Sequence, residues 1–165
     1  MDKEEIAEFM RANSLLLVTA ESCTAGLIAS TLAEIPGAGK LLDCAFVVYS
    51  EQAKERTLGV SHETIERYNL TSEQVAREMA LGALAHSRAN LSISNTGVAD
   101  DGGDDVPAGT QCFAWAFDNG GHSSEPPVFT ETRCFDGDRN AVREASALYA
   151  LQRIPHYFAK LPGTD

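Results

Sequence analysis

The 165-residue sequence lacks the features of a membrane-bound or nucleic-acid-binding protein. No apolar run approaches the ~20 residues that a membrane helix requires, and the polar, acidic start from Met1 to Glu5 is unlike a secretory signal. Lysine and arginine number 13 against 24 aspartate and glutamate residues, a net charge of −11. Such a chain has no basic stripe with which to neutralise phosphates. We therefore expect a soluble cytoplasmic protein that contacts neither membrane nor nucleic acid.

Cysteine is also sparse, and its positions carry no metal-binding pattern. Cys23, Cys44, Cys112 and Cys134 lie far apart, without CxxC or mixed cysteine–histidine spacing. We interpret Cys44 and Cys112 as buried thiols within strands. The sequence thus predicts no metal site.

Alternating helical and strand patterns predict the fold class. The predicted helices cover about residues 4–13, 22–35, 51–58, 71–88 and 139–153. The predicted strands cover about residues 15–20, 44–49, 91–95, 110–117 and 128–134. Turn residues at 118–121 favour an antiparallel pairing of the last two strands. The order predicts one α/β domain over residues 1–165, a three-layer α/β/α sandwich with a mixed sheet.

Local signals mark several helix ends. Thr71, followed three residues later by Gln74, resembles a capping box, and Gly59 is typical of a helix stop. Ser22 or Thr24 is suited to cap the helix that follows the first strand.

Ser22 is the strongest candidate for chemistry because it lies where a buried strand meets a helix. Unpaired N–H groups at a helix start favour anionic atoms, which would suit a nucleophile with an oxyanion hole. The same position also suits an ordinary capping serine, and the sequence lacks the GxSxG nucleophile elbow. Cys23 shares the helix start, but no histidine is placed to activate it.

Tyr49 and Lys54 follow the second predicted strand and could approach Ser22. A Ser–Lys pair works only if the lysine is desolvated enough to be neutral and accept the serine proton. From the residues alone, Lys54 could equally lie on a solvated helix face and Tyr49 could pack in the core. A Ser–His–Asp triad has no support, and we interpret the scattered histidines as surface or structural residues: His62, His86, His122 and His156.

Two charged segments remain open to alternatives. Residues 100–105 contain the carboxylates of a calcium loop without the EF-hand spacing, which favours a solvated loop. Arg139 begins the last helix, where its guanidinium could bind a phosphate bidentately or form a surface salt bridge.

Five segments, in order, resemble the CinA C-terminal domain family. Residues 19–26 (TAESCTAG) are similar to its TAESCTGG signature, and residues 47–54 (VVYSEQAK) to VxYSNxxK, with Leu58-Gly59-Val60 following in register. The other matches are residues 72–76 with SExVA, residues 96–99 with the TGIAGPGGG loop, and residues 137–139 with GDR.

Characterised members of that family are amidohydrolases that convert nicotinamide mononucleotide and water to nicotinate mononucleotide and ammonia. The resemblance implies a metal-free, cofactor-free reaction on a small-molecule substrate, with Ser22 as nucleophile, Lys54 as general base and Tyr49 as a hydrogen-bonding assistant. It also implies a homo-oligomer. The implied substrate-binding residues are Cys23, Thr24, Gly26, Thr96, Gly97, Gly102, Gly103 and Arg139.

The sequence departs from the family in two places. Asp100-Asp101 replace the family's Gly-Pro, with Asp104 and Asp105 beyond, and Ala25 replaces the second signature glycine. Carboxylates near a phosphate oppose its binding by Coulomb repulsion. We therefore expect an amidohydrolase acting on a pyridine mononucleotide, with two alternatives: a weak or inactive paralogue that binds another small metabolite, or an interaction protein linked to competence or DNA repair.

Overall fold

The computed structural model describes residues 1–101, 105–121 and 124–163. Within them, one sheet has the strand order β2-β1-β3-β4-β5. Its strands are β1 (Leu17–Glu21), β2 (Leu42–Val47), β3 (Leu91–Gly97), β4 (Thr110–Phe117) and β5 (Val128–Cys134). β1 pairs in parallel with β2 and β3, whereas β3, β4 and β5 pair antiparallel. The predicted mixed sheet and the antiparallel last pair are confirmed.

Helices cover both faces of the sheet. They are α1 (Lys3–Ala12), α2 (Leu27–Ala33), α3 (Glu51–Leu58), α4 (His62–Tyr68), α5 (Glu73–Ala85), α6 (Arg139–Gln152) and α7 (Ile154–Phe158), with a 3-10 turn at Ala38–Lys40. Successive strand residues face opposite sides, so Leu17 packs in the core beneath α1, α2, α6 and α7, and Val18 packs in the core beneath α3, α4 and α5. The predicted three-layer α/β/α sandwich is thereby confirmed. No helix in the described parts of the chain is long and apolar enough to cross a membrane.

The start of α2 differs from the prediction. Neither Ser22 nor Thr24 caps it; the helix begins only at Leu27, after Gly26 in the left-handed region at φ 99°. Ala25 also has a positive φ, of 47°. These two residues reverse the chain between β1 and α2, so that Ser22 lies in a turn and not at a helix cap.

Several other local predictions are corrected or confirmed. Ser72, and not Thr71, caps α5, because its hydroxyl accepts the Val75 N–H at 3.2 Å. Gly59 ends α3 in the left-handed region, as predicted. Cys112 is buried, but Cys44 is only half-buried because β2 is an edge strand. α4, α7 and the 3-10 turn were not predicted, since each is too short to show a clear period.

Three of the four histidines lie in the described part of the chain. His62, His86 and His156 are exposed, as expected of surface residues. His122 lies outside the described residues.

The parallel strands determine where chemistry can take place. The carboxyl ends of β2, β1 and β3 meet at one edge of the sheet, with β1 between the other two. Backbone pairing continues past the strands: Ser22 N–H donates to the Asn95 carbonyl at 3.0 Å, and Val48 N–H donates to the Glu21 carbonyl at 2.9 Å. Ser22 is thus fixed at the edge where ligands of parallel α/β sheets bind.

Candidate active site

Ser22 and Lys54 form a buried pair at the carboxyl end of β1. Lys54 Nζ lies 2.9 Å from Ser22 Oγ, although 32 residues separate them. The Lys54 residue is 1% exposed and Ser22 8% exposed. The structure therefore rules out a solvated helix face for Lys54 and brings together the two residues that sequence analysis paired.

Two backbone carbonyls orient the Lys54 amine. Nζ donates to the carbonyls of Val48 at 3.0 Å and Tyr49 at 3.1 Å. A neutral amine has two N–H groups and one lone pair, so when both carbonyls accept its hydrogens the lone pair is left for the Ser22 hydroxyl. The contacts are those required for Lys54 to accept a proton from Ser22.

Burial favours this neutral form of Lys54. Loss of solvation disfavours the ammonium ion and lowers the pKa of Lys54 to about 8, while the nearby Glu51 carboxylate acts in the opposite direction. A substantial neutral fraction is then present near neutral pH. A base with a pKa near the working pH is well suited to transfer protons in both directions.

Tyr49 does not pack in the core, the interpretation that its residue type alone allowed. The residue is 58% exposed, which excludes core packing, and its hydroxyl accepts a hydrogen bond from Arg139 at 3.0 Å. Its contact with Lys54 is made through the backbone carbonyl. Any role of the Tyr49 hydroxyl in assisting the reaction remains a prediction.

Arg139 links the two loops that flank Ser22. Its guanidinium donates to Asp100 at 2.8 Å as well as to Tyr49. Since Tyr49 follows β2 and Asp100 follows β3, this bridge spans the end of β1, which lies between those strands. The Asp100 hydrogen bond and charge raise the pKa of Arg139. The predicted surface salt bridge is therefore present, on the group that was also predicted to bind phosphate.

Two buried polar residues that sequence reasoning missed hold the turn after β1. The Glu21 carboxylate accepts hydrogen bonds from Gly26, Ile28 and Ala29 N–H groups at 2.8–3.1 Å. Asn95 accepts the Thr24 N–H on its side-chain oxygen at 3.0 Å. A charge at the end of an apolar strand is an unusual signal that could have drawn attention to Glu21.

Four other predicted ligand residues are hydrogen-bonded, buried or closely packed within the protein. The Thr24 hydroxyl donates to Glu21 at 2.7 Å, and the Thr96 hydroxyl donates to the Leu70 carbonyl at 2.9 Å. Cys23 is buried. A Cβ on Gly97 would lie 2.4 Å from the Gln111 side-chain oxygen, so a side chain does not fit there.

These contacts fix Thr24, Thr96 and Gly97 within the fold, and their roles in binding substrate remain predictions. Gly102, Gly103 and Asp104 lie outside the described residues. A further functional candidate is Arg143, whose guanidinium donates to the Cys23 carbonyl at 2.9 Å and braces the turn from α6.

A cavity of about 360 Å³ lies at the start of α3, and neither Ser22 nor Lys54 lines it. Its lining residues come from the start of α3, the approach to α5 and the loop after β3: Glu51, Ile65, Asn69, Leu70, Thr71 and Val106. Two lining residues interact with predicted site residues. The Glu51 charge acts to raise the pKa of Lys54, and the Leu70 carbonyl accepts the hydrogen bond from the Thr96 hydroxyl. A larger groove of about 620 Å³ lies at the amino end of β1 and contains none of the predicted site residues.

One group in the described part of the chain has spacing that a metal could use. Potential ligand atoms of Glu51, Glu55 and His62 lie within 4.8 Å of one another. His62 contacts Glu55 at 2.8 Å, and this hydrogen bond and the surrounding carboxylates raise the pKa of the imidazole. Ion pairing of an exposed histidine accounts for the cluster.

Comparisons with known proteins agree with this architecture. The sequence matches the CinA C-terminal domain over residues 2–158. It is 38% identical over 157 residues to a nicotinamide-nucleotide amidohydrolase PncC from Escherichia coli, covering 94% of this chain and 92% of that protein. It is 40% identical over 158 residues to a protein of the same name from Enterobacter agglomerans, covering 94% and 93%.

Solved structures show the same fold. A competence damage-inducible protein A from Klebsiella pneumoniae superposes with a TM-score of 0.87 at 34% identity, covering 95% of this chain and 94% of that one. A CinA superfamily protein from Escherichia coli superposes with a TM-score of 0.84 at 36% identity, covering 94% and 87%. Sequence and structure together show that this chain belongs to the CinA C-terminal domain family.

Proposed function

We propose that this protein is an amidohydrolase that converts nicotinamide mononucleotide and water to nicotinate mononucleotide and ammonia, with Ser22 as nucleophile and Lys54 as general base. The observation that carries the proposal is the buried 2.9 Å contact between Lys54 Nζ and Ser22 Oγ. Relatives that cover almost the whole chain are named nicotinamide-nucleotide amidohydrolases, which supports the substrate class.

The reaction follows from the chemistry of this pair. Neutral Lys54 accepts the hydroxyl proton as Ser22 Oγ bonds to the amide carbon, giving a tetrahedral oxyanion. The Lys54 ammonium then donates a proton to the amide nitrogen, the C–N bond breaks and ammonia leaves. A water attacks the resulting ester while Lys54 accepts one of its protons; the C–Oγ bond then breaks as the Lys54 ammonium returns a proton to Ser22 Oγ, and the acid product loses its remaining proton to solvent to give the carboxylate.

The rest of the site would position the substrate. Arg139 offers a partly exposed guanidinium that can bind a phosphate bidentately, and the turn at residues 22–26 surrounds the seryl oxygen. In this proposal Tyr49 orients Arg139, because its hydroxyl accepts one of the guanidinium N–H groups. A phosphate that binds Arg139 has to displace the Asp100 carboxylate or share the guanidinium with it.

The contact between Asp100 and Arg139 also favours a second candidate. In it, the pair hydrolyses the amide of a small metabolite without a phosphate, and Asp100 keeps the Arg139 charge neutralised. The two candidates share Ser22 and Lys54 and differ only in the substrate.

Ammonia release by the purified protein tests both. We expect turnover of nicotinamide mononucleotide, slower turnover of nicotinamide riboside and nicotinamide, and no turnover by Ser22→Ala. A preference for the riboside would favour the second candidate. No ammonia from any of a panel of carboxamides would overturn both and leave a binding protein. The expected homo-oligomer can be tested on the same sample by light scattering.

A further inference from the structure

In the turn after β1, all backbone N–H groups but one have a hydrogen-bond acceptor among the described residues. Between Ser22 and Ala29, each N–H except that of Cys23 donates to an acceptor within the protein. The acceptors are the Asn95 carbonyl and side-chain oxygen, the Ser22 and Thr24 carbonyls, and the Glu21 carboxylate. Among the described residues, no acceptor is assigned to the Cys23 N–H.

Glu21 is central to this arrangement. It is fully buried, and its carboxylate accepts five hydrogen bonds, from Gly26, Ile28 and Ala29 N–H and from the Thr19 and Thr24 hydroxyls. Three of the donors are backbone N–H groups that cannot reverse their role, so both carboxylate oxygens must accept. A buried carboxylate is costly to desolvate unless it is satisfied in this way.

The conformation that Glu21 fixes is otherwise unfavourable. Ala25, at φ 47°, and Gly26, at φ 99°, both occupy the left-handed region, which costs energy at the alanine. The Glu21 carboxylate reaches across this reversal and binds the Gly26 N–H and the first turn of α2. The chain therefore turns away from Ser22 before the helix begins, and no helical carbonyl reaches the Cys23 N–H.

The position of the Cys23 N–H suits it to donate a hydrogen bond to an oxyanion. The peptide that follows a nucleophilic serine is covalently next to the seryl oxygen, and in other serine hydrolases its N–H binds the oxyanion. On each side of it, Ser22 N–H and Thr24 N–H are already taken by Asn95. Within the described ranges, the Cys23 N–H is the one backbone donor from Ser22 to Ala29 with no acceptor assigned to it.

We propose that Glu21 is a positioning residue for the deamidation, and that its buried carboxylate holds the turn so that the Cys23 N–H can bind the oxyanion formed when Ser22 attacks the amide. This inference rests on the proposed function. The hydrogen bond from the Cys23 N–H forms in the transition state and not with the bound substrate, because a planar amide oxygen and a tetrahedral oxyanion occupy different positions. Removal of one such donor typically lowers kcat by about 10²–10³-fold.

The decisive variant is Glu21→Gln, which keeps the size of the side chain. The amide can still accept on one oxygen, but its NH₂ group meets a donor, for example the Ala29 N–H now 3.1 Å from the carboxylate. We expect kcat to fall by about 10²-fold with KM changed less than threefold. Thr19→Val removes a single hydrogen bond to the carboxylate and should lower kcat by a smaller factor in the same direction.

A second readout separates positioning from stability. Pyridine-3-boronic acid can form a tetrahedral boronate on Ser22 Oγ, whose oxygen takes the place of the oxyanion. We expect Glu21→Gln to weaken this adduct at least tenfold, while affinity for nicotinate mononucleotide changes less than threefold. Ile154→Val, a core change in α7 far along the chain from the turn, should lower the melting temperature without altering either affinity or kcat.

The outcomes distinguish this inference from the proposed function. Equal weakening of boronate and product by Glu21→Gln, or retention of kcat, would show that Glu21 only stabilises the fold. If Glu21→Gln does not fold, the same comparison with Thr19→Val decides. A wild-type protein that releases no ammonia would refute the proposed function, yet boronate affinities would still test the turn. Absence of any adduct on wild-type Ser22 would overturn the inference.

Discussion

The interior of the site and its rim are built in different ways. Lys54 and Glu21 are buried, and each is held by at least three hydrogen bonds to groups that cannot move independently of the sheet. Arg139 and Asp100 form an ion pair whose side chains are about half exposed. Water and ions screen exposed pairs, which contribute about 0–1 kcal/mol, whereas a buried donor or acceptor is expensive to leave unsatisfied.

This difference indicates that the charge at the rim can change more easily than the hydrogen-bonded groups of the interior. Substitution at the rim changes the charge presented to a substrate at little cost in stability. Substitution in the interior changes both the chemistry and the fold. Asp100, one of the aspartates that distinguish this chain from the family pattern, lies at the rim, while Ser22 and Lys54 lie in the interior. If Ser22 and Lys54 act as proposed, a change at the rim can alter the substrate without altering this pair.

The largest effect is expected when the interior pair is broken. Lys54→Met keeps the length and apolar stem of the side chain but removes the amine, and we expect kcat to fall by at least about 10³-fold because Ser22 loses its proton acceptor. Adding Ser22→Ala should cause little further loss, since the two residues act as one unit. Lys40→Met, at an exposed position, is the matched control and should retain full activity. Strictly additive losses would contradict a coupled pair.

The sequence predicted the sheet better than the site. The bounds of β4 and β5, Thr110–Phe117 and Val128–Cys134, coincide with the prediction because each strand is a clear apolar or alternating run. The turn after β1 was mispredicted, since a buried Glu21 and a left-handed Ala25 decide it: the sequence does not show which groups the Glu21 carboxylate binds, and an alanine gives no sign of a positive φ.

The contact between Ser22 and Lys54 could not be derived from spacing. It depends on β1 and β2 pairing in parallel, which brings residues 32 apart to one edge of the sheet. Resemblance to a family pointed to the pair, and local chemistry left a solvated lysine equally open. The hydrogen bond from Arg139 to the Tyr49 hydroxyl could not be derived from spacing either, because it joins residues 90 apart in the sequence.

An intermediate effect is expected from pH, through Lys54 in the interior. Because burial lowers the pKa of Lys54 to about 8, kcat/KM should fall about tenfold for each pH unit below that value and reach a plateau above it. Stability should change as well. The folded pKa lies below the unfolded value of 10.5, so the unfolded state binds more protons between about pH 8 and 10.5 and stability rises across that range.

Titration of kcat/KM and of the melting temperature tests this dependence. Lys54→Met should lack the rise in stability between about pH 8 and 10.5, while other groups contribute equally to both proteins. A wild-type kcat/KM that is flat from about pH 6 to 9, with substrate association shown not to limit it, would contradict Lys54 as the base.

The smallest effect is expected at the rim. Replacing Asp100 with Gly and Asp101 with Pro, the residues of the family loop, removes the carboxylate that binds Arg139 at 2.8 Å. Affinity for nicotinamide mononucleotide should then increase by up to about fivefold, as expected if one exposed ion pair worth at most about 1 kcal/mol competes with the phosphate. The gain should shrink as salt rises from about 0.05 to about 0.5 M, because the screening length shortens from about 14 to about 4 Å.

Affinity for nicotinamide riboside supplies the control for this rim exchange, since it lacks the phosphate and should respond little to either the substitutions or salt. The kcat should also remain within about threefold, because Ser22 and Lys54 are not altered. Equal gains for mononucleotide and riboside would indicate a change in loop shape and not in charge. Tight mononucleotide binding by the unmodified chain, insensitive to salt and to the exchange, would show that the phosphate is held away from Arg139 and that the aspartates at the rim do not select the substrate.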